Sequence, residues 1–288
     1  DFENISVPIK VQPRDCVPDE YIHNNIKSNH LTIDKWVNSR YHWNIESVIC
    51  VSGGPTIKKD LHLIQELYER GHKVVCVKHA HNFLIENGII PWGCVILDPR
   101  ELDGISTHGF KRRDLLGTPN PDTYYFVASM TDPSVTHYLK KNNAKIIGWD
   151  AFSNAVTTFD GMSDRLMITG GTCAAMRQIA LMHTFGFRTF HLFGYDACMD
   201  LLDDTLDMTT KDDKGRQKYL QVSVGGESFV STGELLAMGQ DMEQFFQRDD
   251  DSEYHVYGEG GMGHALWQIE KEKKNYDSYK SFLQIEGI

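Results

Sequence analysis

The segment SVICVSGGPTIKKDLHLIQELYERG, Ser47 to Gly71, restricts the fold more than any other part of the chain. Val48, Ile49, Cys50 and Val51 form a short continuous apolar run, as in a strand of a parallel sheet covered on both faces. Ile57, Leu61, Ile64 and Leu67 or Tyr68 recur at helical spacing, and Gly71 stands where a helix stop belongs. Between strand and helix lies a tight Gly53-Gly54-Pro55 turn. A strand that passes through a glycine turn into a helix N-terminus leaves backbone N–H groups free, a ready seat for phosphate or another anion. The spacing is neither the dinucleotide fingerprint G-x-G-x-x-G nor a Walker A ending in Gly-Lys-Ser/Thr. The segment therefore reads either as a phosphate-facing turn or as a βα turn that only reverses the chain.

The same alternation continues downstream. Lys73–Val77, Gly93–Leu97, Tyr124–Ala128, Lys145–Trp149, Leu166–Ile168 and Arg188–Phe193 read as strands. The helices between them include His79 to Asn87, Pro133 to Asn142 with Asp132 as N-cap, and about Cys173 to Phe185. Repeated βα units with short loops predict an α/β fold: a Rossmann-like, doubly wound, mostly parallel sheet. Residues 1–46 read as an N-terminal extension with one or two helices between Tyr21 and Trp43, and residues 47–198 as the core. Residues 199–288 complete the same domain with an acidic loop, a Gly225-Gly226 hairpin, a helix capped by Thr232, a strand at Tyr254–Tyr257 and a charged C-terminal helix.

Bulk properties narrow the function. The net charge of −11 argues against a general nucleic-acid-binding surface. No segment approaches the roughly 18 to 20 apolar residues of a membrane helix, and the first residues lack a signal-peptide layout. Of the six cysteines none pair as C-x-x-C, and Cys50, Cys76 and Cys94 fall inside apolar runs. Free thiols used as small hydrophobes fit a reducing, cytoplasmic setting.

Candidate chemistry gathers at the predicted strand ends: Ser52, Gly53 and Gly54; His79; Asp98; Gly170, Gly171 and Thr172; and Asp196. In an open α/β sheet ligands bind outside those ends. The two glycine turns could bracket a nucleotide phosphate, with close helix–strand packing and a Thr172 N-cap as the plain alternative for the second. Asp98 and Asp196 are each either a ligand for Mg²⁺ or a ribose hydroxyl, or a turn aspartate. His79 and His264, the latter after the loop Gly258-Glu259-Gly260-Gly261-Met262-Gly263, are candidate acid–base groups or surface histidines. His79 and His81 have no third ligand for a structural zinc site. Residues Asp200 to Asp213 read as a solvated loop or lid. No G-x-S-x-G and no kinase signature set is present.

Three blocks, VICVSGGPTIKKDLHLIQEL, HAHNFLIENGIIPWGCVILDP and TGGTCAAMRQIALMHTFGFRTFHLFGYDA, together resemble the MptE-like domain. That family includes archaeal 6-hydroxymethylpterin diphosphokinases and bacterial motility-associated-factor proteins, the latter linked to glycosylation of flagellin. The Gly-Gly-Pro turn also resembles that of a bacterial sialyltransferase family using CMP-sugars. The resemblance implies nucleotide binding at Gly53, Gly54 and Pro55, at Asp98, at Gly170, Gly171 and Thr172, and at Asp196. Thr56 and Ile57 stand where the family usually has Ser and Leu, and Lys78 and His79 where it often has Asn. The His- and Asp-rich segment of the diphosphokinases is replaced by VASMTDPSV. The expectation is thus a nucleotide-dependent transferase, glycosyltransferase-like with a CMP-sugar type of donor and a small-molecule or glycan acceptor. The alternatives are pyrophosphoryl transfer from ATP, with Mg²⁺ at Asp98, and a non-catalytic nucleotide-binding module.

Overall fold

A computed structural model describes residues 16–41, 44–106, 109–200, 203, 206–212, 214–248 and 251–286. Pro8, Pro13, Trp43 and parts of the acidic loop expected at 200–213 lie outside those residues. The chain runs through α1 (Asp19–Thr32), β1 (Asn44–Val51), α2 (Leu61–Glu69), β2 (Lys73–Val77), α3 (Lys78–Glu86), β3 (Gly93–Ile96), α4 (Arg112–Leu116), β4 (Tyr124–Ala128) and α5 (Pro133–Lys141). It continues with β5 (Lys145–Ala151), α6 (Asn154–Thr157), β6 (Met167–Ile168), α7 (Ala174–Thr184), β7 (Phe187–Phe193), β8 (Leu220–Val224), β9 (Glu227–Ser231), α8 (Gly233–Gln247), β10 (Glu253–Val256) and α9 (Met262–Glu286).

The sheet has eight strands in the order β10-β7-β1-β2-β3-β4-β5-β6, and every pairing in it is parallel. Side chains alternate between its two covered faces, as strand geometry requires. Val48 and Cys50 join the core beneath α7 and α8, while Ile49 and Val51 join the core beneath α2, α3 and α5. β2 divides in the same way, Val75 and Val77 against Val74 and Cys76. This is why the central strands read as unbroken apolar runs: neither face meets water. β8 and β9 form a separate antiparallel hairpin, whose Gly225 and Gly226 both take positive φ, as a tight two-residue turn demands.

From β1 the chain moves strand by strand to β6 and then returns through α7 to β7, on the other side of β1. The winding direction therefore switches between β1 and β7, and in open α/β sheets such a switch, beyond the C-terminal strand ends, is where ligands bind. Helix α1 is stitched to the loops at that edge. Asn25 Nδ2 donates to the carbonyls of Pro99 and Met130, and Asn29 Nδ2 to those of Ser129 and Thr131. Ile22 and Ile26 of α1 are buried in the core. Capping follows the expected chemistry: Asp132 accepts from Ser134 N at the start of α5, and Thr232 from Leu235 N at the start of α8.

Candidate functional site

The first glycine turn starts where β1 ends. Ser52 N donates to Phe193 O at 2.8 Å and Gly54 N to Gly194 O at 3.0 Å, so the turn is laced to the end of β7. Only glycine fits at 54: a Cβ there would lie 2.4 Å from Gly194 O and 2.5 Å from Asp196 Oδ2. The expected single helix does not start at this turn. Pro55–Lys58 make one 3-10 turn, and α2 begins at Leu61 behind Asp60. Thr56 explains the break, because its N–H and its hydroxyl both donate to Asp196, at 2.9 and 2.6 Å. The α-helical N-terminus that would have faced an anion is therefore displaced from the turn.

Asp196 corrects a second expectation. Its side chain is buried, with 1% of the residue exposed. A Cβ on Gly258 would lie 2.8 Å from Asp196 Oδ1, and one on Gly261 3.1 Å from it. Gly263 N donates to Asp196 O at 2.9 Å. Burial pushes its carboxyl pKa up, against the bonds from Thr56. Asp196 thus pins three loops together and presents no open face for a ribose or an acceptor. The glycine-rich loop after β10 packs onto this aspartate and leads into α9 at Met262. His264 falls in the first turn of α9, where Nδ1 bonds Val256 O at 2.8 Å. That contact ties His264 to the C-terminal end of β10.

The second glycine turn is spoken for by the protein itself. Gly170 and Gly171 have positive φ, +120° and +88°. Thr172 N and Oγ1 both donate to Asp241 Oδ2 of α8, at 2.7 and 2.8 Å. The donors that would have held a phosphate thus hold a carboxylate, and the two-turn phosphate clamp does not form in this arrangement. Thr169 lines a pocket of about 140 Å³ with Arg40, His183 and Arg248. A larger concavity, about 350 Å³, lies by Gly71, His72 and Trp92 at the opposite edge of the sheet.

Beside the first turn the picture differs. Gly53 and Pro55 are exposed, and among the described residues the Gly53 amide makes no hydrogen bond. His79, the second residue of α3, is exposed, and its Cβ sits 2.9 Å from where a Gly53 Cβ would be. His81 turns the other way and bonds Tyr125 OH at 2.8 Å; burial lowers its pKa to about 4. The two imidazoles therefore do not share a face.

Asp98, at the end of β3, is ringed by cations. Lys78 Nζ lies 3.2 Å from Oδ2, Arg100 Nε 2.8 Å from Oδ1, and Arg112 Nε 3.2 Å from Oδ2. Arg100 adds bonds from its backbone N and from Nη2. Burial works against the charge of Asp98, but the Arg100 hydrogen bonds and the positive charges of Lys78 and Arg100 win and hold its pKa at about 2. Mg²⁺ does not fit this carboxylate: its oxygens are occupied and three like charges would repel the ion. Among the described residues there is also no group of three His, Cys, Asp or Glu side chains placed to hold a metal.

The structure thus brings Ser52, Gly53, Gly54, Pro55, His79 and Asp98 to one edge, with Asp196 beneath and the second turn closed by α8. Sequence reasoning missed Arg100, Arg112 and Asp241. Arg100 had a readable signal, an arginine straight after the strand-ending Asp98-Pro99. Arg112 comes from the distant α4 and Asp241 from α8, so their placement is a matter of tertiary folding alone.

Comparison with known proteins agrees with this architecture. A family model described as 6-hydroxymethylpterin diphosphokinase MptE-like matches residues 20–200. A MAf glycosyltransferase from Magnetospirillum magneticum AMB-1 is similar in structure, with a TM-score of 0.56 at 15% identity over 87% of this chain. The chain spans 38% of that protein's length, and at such identity the likeness speaks for the fold alone. No curated protein matches the chain.

Proposed function

The chain belongs to the MptE-like family, and on that premise we propose that it is a nucleotide-dependent transferase of the glycosyltransferase-like kind. The observation that carries the reading is the switch between β1 and β7, with the exposed Gly53 and His79 at its lip. The nucleotide phosphate would lie against the Gly53 amide and the Gly54-Pro55 backbone, which glycine allows a ligand to approach closely. His79 is the acid–base group best placed to move a proton at the acceptor. Asp196 holds the turn in shape through Thr56 and takes no part in proton transfer. Catalysis then rests on positioning and on stabilising a departing phosphate. The donor of this reading is a nucleotide-activated sugar and the acceptor a small molecule or glycan.

A thermal-shift panel of CMP, CDP, UDP, ATP and AMP, with and without Mg²⁺, tests it. Stabilisation by a cytidine or uridine nucleotide is expected; a His79→Ala variant that keeps that stabilisation but loses turnover would mark the acid–base role. A response to ATP with Mg²⁺ alone would transfer the assignment to pyrophosphoryl transfer, the activity in the family's description. No response from a folded chain would leave a non-catalytic module.

A further inference from the structure

We propose that Lys78, Arg100 and Arg112 form a built oxyanion site over Asp98, fitted to a doubly charged group such as diphosphate or phosphate. The inference deepens the transferase reading and rests on it only for the molecule to which that group belongs. Its basis is a charge count. Three cations face one carboxylate within 3.2 Å, and Asp98 stays ionised, so the cluster carries a formal surplus of two positive charges. Glu234, exposed at the start of α8, offsets this only through its longer-range field at Arg100.

The surplus is not a solvated one. The Lys78 and Arg112 side chains are 6% and 7% exposed. Cations taken out of water are costly unless paired and hydrogen-bonded. The pairing here is incomplete. Arg112 Nη1 donates to Glu101 O at 3.1 Å, but its buried Nε, although close to Asp98, makes no hydrogen bond. Burial lowers the pKa of Lys78 against the pull of Asp98, and repulsion from Arg112 and Arg100 adds to it. These are the marks of a site short of negative charge.

Shape points the same way. Gly104 leaves the room Arg112 needs, since a Cβ there would lie 2.2 Å from Nη1. Arg100 is the accessible arm, its side chain 32% exposed. Its Nε and Nη2 already bond Asp98, and the outer edge of its guanidinium, Nη1 and the second Nη2 proton, is what it would turn toward an incoming oxyanion. The cluster stands at the ends of β2 and β3, and Lys78 directly precedes His79 in sequence. An anion bound here would therefore extend from the same edge that carries Gly53.

Isothermal titration of the full chain with pyrophosphate, and with phosphate, tests the proposal. The parent chain should bind pyrophosphate, and Arg100→Gln should weaken that binding at least tenfold. Arg113→Gln, which removes an exposed partner of Asp103, should leave it unchanged. Asp98→Asn supplies the discriminating sign: it should lower stability without anion and tighten pyrophosphate binding, whereas a merely structural cluster would lose stability and gain no affinity. Displacement of pyrophosphate by a nucleotide would assign the anion to the donor, and simultaneous binding to the acceptor. A parent chain that ignores pyrophosphate, or an Arg100→Gln variant that binds like the parent, overturns the site. Nucleotide binding that survives in that case leaves the transferase reading standing. Arg100-dependent pyrophosphate binding with no nucleotide response does the reverse.

Discussion

The two glycine turns end alike and live differently. In each, a threonine gives both its N–H and its hydroxyl to one aspartate: Thr56 to Asp196, and Thr172 to Asp241. Around the first turn the glycine-rich loop closes from below, while Gly53 stays exposed toward His79. Over the second, α8 supplies the carboxylate, and Phe245 stands 3.0 Å from where a Gly170 Cβ would be. A glycine turn ahead of a helix thus certifies that the backbone comes close to something. Which something, a ligand or the chain's own side chain, depends on the element that folds over it.

The strongest way to break the comparison is to disturb what lies under the first turn without touching its exposed side. A Cβ on Gly263 would sit 1.8 Å from Tyr195 O, a backbone atom that cannot step aside. Gly263→Ala is expected to lower stability by about 4 kcal/mol, or roughly 10 °C in Tm, through overpacking. Gly53→Ala would set its Cβ 2.9 Å from the Cβ of His79, so α3 must shift slightly, and it should cost about 2 kcal/mol while weakening nucleotide binding. Scanning calorimetry with a nucleotide titration checks both. Equal stability losses would mean that the two sides of the turn do not differ as described.

This division also shows what the residues alone could say. The buried strands were legible because both faces of the sheet are covered, so Val48–Val51 and Val74–Val77 carry no polar interruption. The caps Asp132 and Thr232 were legible because capping is local. The helix start after Pro55 was misread, since the partner that diverts Thr56 lies 140 residues downstream. Asp196 and Thr172 drew a ligand reading for the same reason: each has its partner on a distant element. The cation ring around Asp98 was invisible because Arg112 reaches it from α4, whose five residues carry no strong periodicity.

A middle-sized effect separates the two aspartates beside the first turn. Asp98 is held at about 2 against an ordinary 3.8, its burial outweighed by Arg100 and Lys78. Its folded pKa is depressed, so its contribution of about 2 kcal/mol is full above about pH 4 and is lost as pH falls through about 2. Asp196 has the opposite sign. Burial raises its pKa, so ionising it works against the fold as pH rises above 3.8 through the raised value. Urea unfolding between pH 2 and 6 should therefore show Asp98→Asn losing most relative to the parent at the upper end. Asp196→Asn should lose relatively more at the lower end. Parallel profiles for the two variants would mean that the cation ring does not set Asp98 apart.

The smallest effect is the sharpest for function. Asp241→Asn keeps an oxygen for Thr172 but removes the negative charge, and its half-buried setting limits the expected loss to about 1 kcal/mol. If the second turn were the other half of a phosphate clamp held shut by that carboxylate, neutralising it would relieve repulsion at Thr172 and tighten nucleotide binding. The geometry argues otherwise: Asp241 completes the turn's hydrogen bonding, and Met176 stands 2.5 Å from where a Gly171 Cβ would be. Thermal shifts on Asp241→Asn should thus show the parent's nucleotide response on a slightly less stable fold. A clear gain in nucleotide affinity would reopen the second turn as a ligand site and erase its difference from the first.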